Sequence, residues 1–268
     1  MGTRTDTISY ERKRKRRADV LKRVKTPSPS YSRCRIIGCP NPTTAGTSKG
    51  LNRLYCRQHE DHFERHGSYV KKSYPAAQVN PYRRAAYDWL TLNREKTLVA
   101  LALKAIERLY QKAGPRVEAF RLAGRSPEER ARAAWARLRD AEIDPRIPLS
   151  AWLAVEMVLL DDPQAERKAE FKRVQAAKII HRLASGTHKR WEREQSDGKV
   201  VVEELHKYPA SRGQVLRHIG TQMEKAAELV VDHHLDEMRR YKVEQEARQG
   251  VSTRPHPASR RKKGENRS

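Results

Sequence analysis

Three cysteines and one nearby histidine are the residues of this chain whose types and spacing are best suited to chemistry. Cys34 and Cys39 are separated by four residues, and Cys56 and His59 by two. No other cysteine occurs in the 268 residues, and sixteen residues lie between the two pairs. Three thiolates and an imidazole are the ligands of a tetrahedral structural zinc site. The spacing therefore predicts a structural Zn²⁺ ion on these four side chains; the alternative is three reduced thiols and an unrelated histidine.

The spacer between the two pairs is typical of a loop, and the second pair opens a helix. Four residues of the spacer favour turns over a buried strand or helix: Pro40, Pro42, Gly46 and Gly50. The pattern from Cys56 to His66 is helical, and residues three apart in a helix lie on one face. Cys56 and His59 are therefore expected to present their ligand atoms in the same direction.

This segment resembles a small zinc module of bacteriophage and mobile-element proteins. The resemblance spans Cys34–Gly67 and rests on the blocks CRIIGCP from Cys34, GL from Gly50, LYCRQH from Leu54, and FERHG from Phe63. Such modules often precede HNH or homing-type endonuclease domains. The resemblance implies that Cys34, Cys39, Cys56 and His59 are the ligands, and that the module is an accessory DNA-binding or stabilising element.

The residues of a nuclease active site do not follow the module. An HNH nuclease needs a histidine base and an Asn/His pair around a metal ion on a ββα unit, and no such arrangement occurs beyond His66. His62 and His66 are candidate alternate ligands, but beside a filled site on a helix they are expected to face solvent or phosphate. Phosphate-binding loops, nucleophile elbows and dinucleotide glycine patterns are also absent. The sequence therefore leans against an enzyme.

Two further pairs of adjacent residues, one of aspartates and one of histidines, can be explained without a catalytic or metal site. Asp161 and Asp162 are expected to begin a helix, where capping explains them. His233 and His234 point about 100° apart on a helix, so they cannot both bind one ion. We expect them on the surface.

The composition predicts a polyanionic partner. The chain has 57 Lys and Arg against 33 Asp and Glu, a net charge of +24 and a pI near 10.3. Such a charge favours nucleic acid through counterion release, and DNA is favoured here over RNA. An odd number of cysteines in zinc spacing indicates a reducing compartment. No apolar run could span a bilayer and the basic N-terminus has no apolar segment behind it, so a cytoplasmic, nucleoid-associated protein is expected.

Candidate nucleic-acid contacts are the basic residues of the N-terminal run, the zinc module, the segment after it, and a later helix and hairpin. They are Arg12, Lys13, Arg14, Lys15, Arg16, Arg17, Arg57, Arg65, Lys71, Lys72, Arg83, Arg84, Arg173, Lys178, Arg182, Lys189 and Arg190. Tyr69, Tyr74 and Tyr82 lie among the cations of residues 67–84, where they would either stack on bases or pack at a domain edge.

The predicted fold is mainly α, with an N-terminal zinc module, one β-hairpin and a long C-terminal helix. The predicted segments are a basic disordered arm (1–32), the zinc module (33–67), a linker (68–84), a helical region (85–148), a second helical region (149–249) with a hairpin at 187–205, and a basic disordered tail (250–268).

Three helices have particularly clear signals. Ser126, Pro127 and Glu129 fit the N-cap, N1 and N3 positions of a capping box. Residues 150–160 are predicted to form an apolar helix from their content. The last helix, 211–249, has a stripe of apolar residues: Val215, Ile219, Met223, Ala226 and Val230. Its charged continuation past Met238 is expected to project or to pair with a second chain.

The order of helix 150–160, helix 163–185 and hairpin 187–205 resembles a winged helix, in which the second helix enters the major groove. Three functions remain open from the sequence. The first is a zinc-containing nucleic-acid-binding protein of phage or mobile-element type. The alternatives are a divergent metal-dependent nuclease or recombination enzyme, and an oligomerising nucleoprotein scaffold that self-associates through the C-terminal helix.

Overall fold

The chain forms two compact units, described from a computed structural model. The structure describes residues 4–25, 33–43, 46–47, 50–52, 54–184, 187–194, 200–209, 211 and 213–248. The first unit comprises Met1–Lys71 and the second Lys72–Ser268. The predicted disordered tail, 250–268, lies outside the described residues. Across the described ranges, no helix is both long enough and apolar enough to cross a membrane.

A long basic helix opens the first unit. Helix α1 (Arg4–Lys25) is continuous, and every side chain from Glu11 to Asp19 is exposed. This differs from the disordered arm that was predicted for residues 1–32. Lys and Arg are good helix formers, and no glycine or proline interrupts α1. The high density of positive charge in this segment therefore does not prevent helix formation.

The remainder of the first unit is small and loop-rich, as predicted. Strands β1 (Gly46–Thr47) and β2 (Gly50–Leu51) pair antiparallel. An isolated bridge joins Arg33 to Pro42. Helix α2 (Arg57–His66) follows, beginning directly after Cys56 as the sequence predicts.

The second unit is a helical domain with one hairpin. Its elements are α3 (Ala76–Leu92), α4 (Thr97–Gln111), a 3-10 turn (Ala119–Leu122), α5 (Pro127–Asp140), α6 (Arg146–Asp161), α7 (Ala169–His181), β3 (Thr187–Glu194), β4 (Val200–Lys207) and α8 (Gln214–Arg248). The mainly helical class, the hairpin and the long last helix confirm the predicted fold class.

Helix α6 lies at the centre of this domain. It packs against α3, α7 and α8, and Leu149, Trp152 and Leu153 are completely or almost completely buried. The structure thus confirms the predicted apolar helix and shows that most of its side chains are buried. The helix begins at Arg146 rather than at 150, because Pro148 falls in the first turn, where a missing N–H breaks no intrahelical bond.

Helix α3 begins earlier than the sequence suggests. Residues 76–84, predicted as part of a linker, form its first half. Val79 and Tyr82 are buried there, 3% and 2% exposed. Pro81 lies within the helix. Because proline has no backbone N–H, α3 lacks one intrahelical hydrogen bond at this position.

The two local signals in α5 and the hairpin are confirmed. The Ser126 hydroxyl accepts a hydrogen bond from the Glu129 N–H, and the Glu129 carboxylate accepts one from the Ser126 N–H, which is a complete capping box. Strands β3 and β4 pair antiparallel with Trp191 opposite Glu203. Residues 195–199, between the two strands, lie outside the described residues.

Helix α8 packs against α3, α4, α5, α6 and α7. Val215, Ile219, Met223 and Val230 are buried as predicted, while Ala227 is buried more deeply than Ala226. Beyond Met238 the helix does not simply project, because Lys242 is 5% exposed and lies 4.2 Å from the centre of the Tyr82 ring. A Cβ on Gly220 would be 2.6 Å from the Cβ of Arg173, so glycine lets α8 approach α7 closely.

The winged-helix interpretation is wrong for α7. This helix begins at Ala169 rather than at 163, and no side chain from Glu170 to His181 is classed as exposed. It is packed against α6 and α8. A recognition helix needs one free face for the major groove, and α7 has none.

Asp161 and Asp162, at the end of α6, do not have the role predicted for them. Asp161 ends α6 and Asp162 caps its C-terminus, so neither begins a helix. Asp161 accepts hydrogen bonds from Tyr82 (2.9 Å) and Arg239 (2.7 Å). These bonds tie α6 to α3 and α8.

Candidate metal centre and nucleic-acid interface

The four predicted ligands come together in the first unit. The Sγ atoms of Cys34, Cys39 and Cys56 and one ring nitrogen of His59 all lie within 4.8 Å of one another. His59 Nδ1 is 3.3 Å from Cys34 Sγ and 3.3 Å from Cys56 Sγ, and Cys39 Sγ is 3.9 Å from Cys56 Sγ. Cys34 and Cys56 are 6% and 2% exposed. Such a cluster can hold one metal ion.

A tight turn places the first two thiols. The Cys39 N–H donates to the Ile36 carbonyl at 3.0 Å, and the Cys34 N–H donates to the Asn41 carbonyl at 3.0 Å. Gly38 lies inside this turn with φ of +79°, a left-handed conformation that favours glycine. The turn aims Cys34 and Cys39 at the same point.

The second pair is placed by the start of α2. Cys56 is the N-cap residue and its carbonyl accepts the first helical bond, from the Glu60 N–H at 2.9 Å. Asn52 holds the approach to the helix, because its Oδ1 accepts from the N–H groups of Leu54 (2.8 Å) and Tyr55 (3.0 Å). Asn52 is not among the functional residues predicted from the sequence; the preference of asparagine for local side-chain turns is the signal that identifies it.

The hydrogen bonds around the thiols affect their ionisation unequally. Burial raises the pKa of Cys34, but hydrogen bonds from the backbone of Cys56 and Ile36 outweigh it, so the pKa is lowered. For Cys39, the backbone of Asn41 favours the thiolate, but burial and the neighbouring thiols raise its pKa overall. The surroundings therefore favour the thiolate at Cys34 and disfavour it at Cys39.

The neighbouring histidines have other partners. His62 Nδ1 is 2.8 Å from the Ser68 carbonyl oxygen, to which it donates a hydrogen bond. The His66 ring lies against His62, with ring centres 4.4 Å apart. Neither belongs to the thiol cluster. The idea that they are alternate ligands is therefore not supported by their positions.

An aromatic stack supports the ligand loop. The Tyr69 ring stacks on Tyr55 with ring centres 3.6 Å apart and on Phe63 at 4.4 Å. Tyr55 immediately precedes the ligand Cys56. Tyr69 thus packs within the module, in place of the base stacking considered from the sequence.

The other two tyrosines near the predicted linker are also structural. Tyr74 donates to Asp162 at 2.7 Å, and Tyr82 donates to Asp161 at 2.9 Å. Burial, followed by the adjacent carboxylates, raises the pKa of both phenols. Neither ring is available as a stacking platform.

The candidate cations of the first unit are mostly at the surface. Arg12, Lys13, Arg14, Lys15, Arg16 and Arg17 are exposed along α1. Arg57 and Arg65 are exposed on α2, and Lys71 is half-buried just after it. Arg57 lies 3.9 Å from Asp61, an exposed pair that is expected to contribute little to stability.

Two of the three candidate cations around α3 line one cavity. Lys72 and Arg84 are exposed, and Arg83 is half-buried. Arg83 and Arg84 line a cavity of about 440 Å³ together with Asn80 and Tyr87. The buried Nε of Arg83 has no hydrogen-bond partner among the described residues.

The candidates on α7 are largely engaged within the fold. Arg173 Nε donates to Glu224 at 2.6 Å, and Lys178 Nζ donates to the Ser73 hydroxyl at 2.8 Å. Arg182, the residue that ends α7, is exposed. The structure does not favour Arg173 or Lys178 as phosphate contacts.

The two candidate nucleic-acid contacts on the hairpin differ in how much of them the structure describes. Arg190 is exposed on β3 and lies 3.7 Å from Glu204 across the strands. Lys189 lies on β3 as well, but its side chain is outside the described part of the structure.

Other histidines are also explained by packing. His234, expected on the surface, lies 5.4 Å from Trp89 between ring centres and bonds Glu237 at 3.2 Å. It therefore helps to pack α8 against α3.

Comparison of this chain with protein-family models, curated proteins and solved structures finds no match. The function therefore has to be argued from the geometry above.

Proposed function

We propose that the protein is a zinc-containing nucleic-acid-binding protein, with double-stranded DNA as the preferred partner, and that residues 33–67 form its zinc-stabilised module. The observation that carries this proposal is the gathering of the three cysteines and His59 into one cluster. Among the described residues of 33–67, the buried hydrophobic side chains are Cys34 and Cys56 alone. A bound metal would supply much of the free energy that folds such a module.

The distances support zinc in a closed, structural site. Ligands at about 2.3 Å for sulfur and about 2.0 Å for nitrogen around a tetrahedral ion are separated by about 3.8 Å (S to S) and about 3.5 Å (S to N). The corresponding separations here are 3.9 Å between Cys39 and Cys56 and 3.3 Å from His59 to two thiols. Four protein ligands leave no open position for substrate, which supports a structural rather than a catalytic metal.

The charge supports nucleic acid as the partner. The net charge is +24, and the run Arg12–Arg17 is exposed on a continuous helix. Cations held at helical spacing can track a phosphate backbone. The resemblance of Cys34–Gly67 to the zinc module of phage and mobile-element proteins agrees with a DNA-binding role.

The test is binding of the purified protein, with its zinc content measured, to duplex DNA, single-stranded DNA and structured RNA over a salt series. We expect steep salt dependence and a preference for duplex DNA that persists at about 200 mM salt. If binding to all three nucleic acids is lost equally as the salt concentration rises, the positive charge binds polyanions without selectivity and the proposal fails.

Matched double variants sharpen this test. Arg14→Gln with Arg16→Gln removes two exposed cations of α1, and Lys104→Gln with Arg108→Gln removes two exposed cations of α4. Each lost phosphate contact should reduce the salt slope on duplex DNA by about 0.9. We expect a smaller salt slope for the α1 variant and an unchanged slope for the α4 variant. Equal salt slopes for the two variants would show that α1 is not part of the DNA interface.

The two alternative functions can be tested on the same purified protein. Magnesium-dependent cleavage of plasmid DNA would indicate a nuclease. A mass that grows with protein concentration, without substrate preference, would indicate a scaffold.

A further inference from the structure

A cavity between α3 and α6 is lined by two neighbouring arginines. Its volume is about 440 Å³, and ligand sites in proteins have volumes of about 300–1,000 Å³. The uncharged and basic residues that line it from α3 are Asn80, Arg83, Arg84 and Tyr87. Because they are three or four residues apart, they share one face of the helix. The cavity can therefore present several polar side chains to one ligand.

The wall that α6 contributes is bonded within itself. Ile147 and Ser150 line the cavity from the first two turns of α6, and the Ser150 hydroxyl donates to the Ile147 carbonyl at 2.8 Å. Helix α6 packs against α3 along this wall. The donors left for a ligand are therefore the side chains of α3.

Arg83 brings to the cavity a guanidinium that the fold leaves without an acceptor. Its Nε is buried and has no hydrogen-bond partner among the described residues. Arg83 as a whole is only half-buried and lines the cavity, so it is not sealed from solvent. Burial lowers its pKa, and no carboxylate counteracts this effect. A partly buried cation without an acceptor is costly, and an anion in the cavity would offset that cost.

A third arginine beside the cavity shows what a satisfied side chain looks like here. Arg146 lies 5.0 Å from the centre of the Tyr87 ring. Its Nε donates to Asp144 at 3.0 Å, and its Nη1 donates to the Thr91 hydroxyl at 3.0 Å. Arg146 is therefore neutralised by its own carboxylate and packs on Tyr87, whereas Arg83 remains open to a ligand.

The charges around the cavity favour an anion. Its charged lining residues, in the part of the chain that the structure describes, are Arg83, Arg84 and Asp88. Arg84 and Asp88 are exposed, one helical turn apart on α3. Two cations against one carboxylate leave an excess of one positive charge. Asp88 opposes a bound anion and so limits its affinity.

We propose that this cavity binds a phosphate group, with Arg83 and Arg84 as its cationic donors. Asn80 and Tyr87 add an amide and a hydroxyl donor. Each guanidinium presents a planar fork of N–H groups, and a phosphate has enough oxygens and charge to accept from both forks, whereas a carboxylate matches only one. The phosphate can belong to a nucleic-acid backbone or to a free phosphorylated molecule, and the chemistry of the site is the same for both.

The site can be tested separately from nucleic-acid binding. Arg83 and Arg84 are among the candidate nucleic-acid contacts, so a backbone phosphate as the ligand rests on the proposed function. Binding of inorganic phosphate does not rest on it. The protein can bind phosphate in this cavity and fail to bind DNA, or bind DNA elsewhere and leave the cavity empty.

The first experiment measures binding of inorganic phosphate to the full chain by calorimetry, with chloride and acetate at equal ionic strength as comparison anions. We expect saturable binding of phosphate alone. Arg83→Gln should weaken it by about tenfold or more, because charge-assisted hydrogen bonds are lost. Arg108→Gln is the matched control, since Arg108 is an exposed arginine on α4. It removes the same charge from the chain and should bind phosphate like the parent protein.

Two exposed positions cover the case in which Arg83→Gln does not fold. Arg84→Gln should weaken phosphate binding several-fold, and Asp88→Asn should tighten it, because the first removes a donor and the second a like charge. Both should leave the helical circular dichroism unchanged. Phosphate affinity that neither variant alters would overturn the proposal, as would equal binding of phosphate and acetate or the absence of saturable binding.

Competition identifies the source of the phosphate. If inorganic phosphate displaces duplex DNA at constant ionic strength from the parent protein but not from Arg84→Gln, the cavity holds a backbone phosphate. If phosphate binds with the expected response to Arg84→Gln and Asp88→Asn but does not displace DNA, the natural ligand is a free phosphorylated molecule.

Discussion

His59 and His66 lie on the same short helix, but only His59 reaches the thiol cluster. His59→Ala should abolish stable zinc binding and unfold the module, because the remaining thiols cannot complete the tetrahedron. His66→Ala is the matched control and should retain about one zinc per chain. Metal analysis after dialysis against a weak chelator measures both. Equal zinc contents in the two variants would refute the ligand assignment.

His181 gives the second unit a predictable response to acid. Its pKa falls from 6.5 in the unfolded chain to about 4 in the fold, mainly through burial. Between these values the unfolded state binds more protons, so stability is lost as the pH falls from 6.5 towards 4. The loss should be on the order of 3 kcal/mol.

The measurement is chemical unfolding in phosphate-free buffers, followed by tryptophan fluorescence. All four tryptophans (Trp89, Trp135, Trp152 and Trp191) belong to the second unit. His181→Leu should flatten the pH dependence, whereas His206→Leu should not, because His206 is exposed on the hairpin. Identical pH profiles for the parent and His181→Leu would contradict this prediction.

Individual residues differ in how well the sequence reveals them. The cluster of four candidate ligands could be predicted because it depends on residue type and short spacing, and two short local structures bring the side chains together. The burial of Arg137 and His181 could not. Along a helix with arginines at 130, 132, 137 and 139, nothing in the sequence marks the one that the fold buries.

At the scale of elements, the N-cap of α5 makes a measurable contribution to the stability of the second unit. Ser126→Ala removes the hydroxyl that accepts from the Glu129 N–H, and should destabilise the second unit by about 1 kcal/mol. Ser126→Asp keeps an acceptor at the N-cap and should restore most of the loss. The fluorescence unfolding curve of the same unit reports both. An alanine variant as stable as the parent would show that the cap contributes nothing here.

Helices α6 and α7 show where element prediction from sequence succeeds and fails. α6 could be predicted as an apolar helix because most of its residues are apolar. α7 looks like a solvent-facing basic helix, but its cations are engaged by groups far away in the sequence: Arg173 by Glu224 and Lys178 by Ser73. Such partners become visible only when the fold brings α8 and residue 73 alongside. α1 was underestimated for the opposite reason, because its charge obscured its helix propensity.

At the scale of the molecule, the core that holds the second unit together is made by that unit alone. Among the described residues, the buried core runs from Val79 to Met238 and includes no residue of the zinc module. Removal of metal with a strong chelator should therefore unfold the module while the tryptophan unfolding transition of the second unit stays unchanged. Circular dichroism and tryptophan fluorescence, recorded on one sample before and after chelation, separate the two. A shift of the tryptophan transition on chelation would mean that the units depend on each other for stability.

The position of α8 in the chain has a consequence during translation. α8 is the last helix described, and it packs against each of α3 to α7. The ribosome releases the chain from its N-terminus, so α6 emerges well before the helix that covers one of its sides. Until Gln214–Met238 has left the exit tunnel, the nascent chain carries an uncovered apolar helix, which is the kind of surface that chaperones bind. Synthesis that stalls before this segment should yield a product marked for proteolysis, however well its earlier helices form.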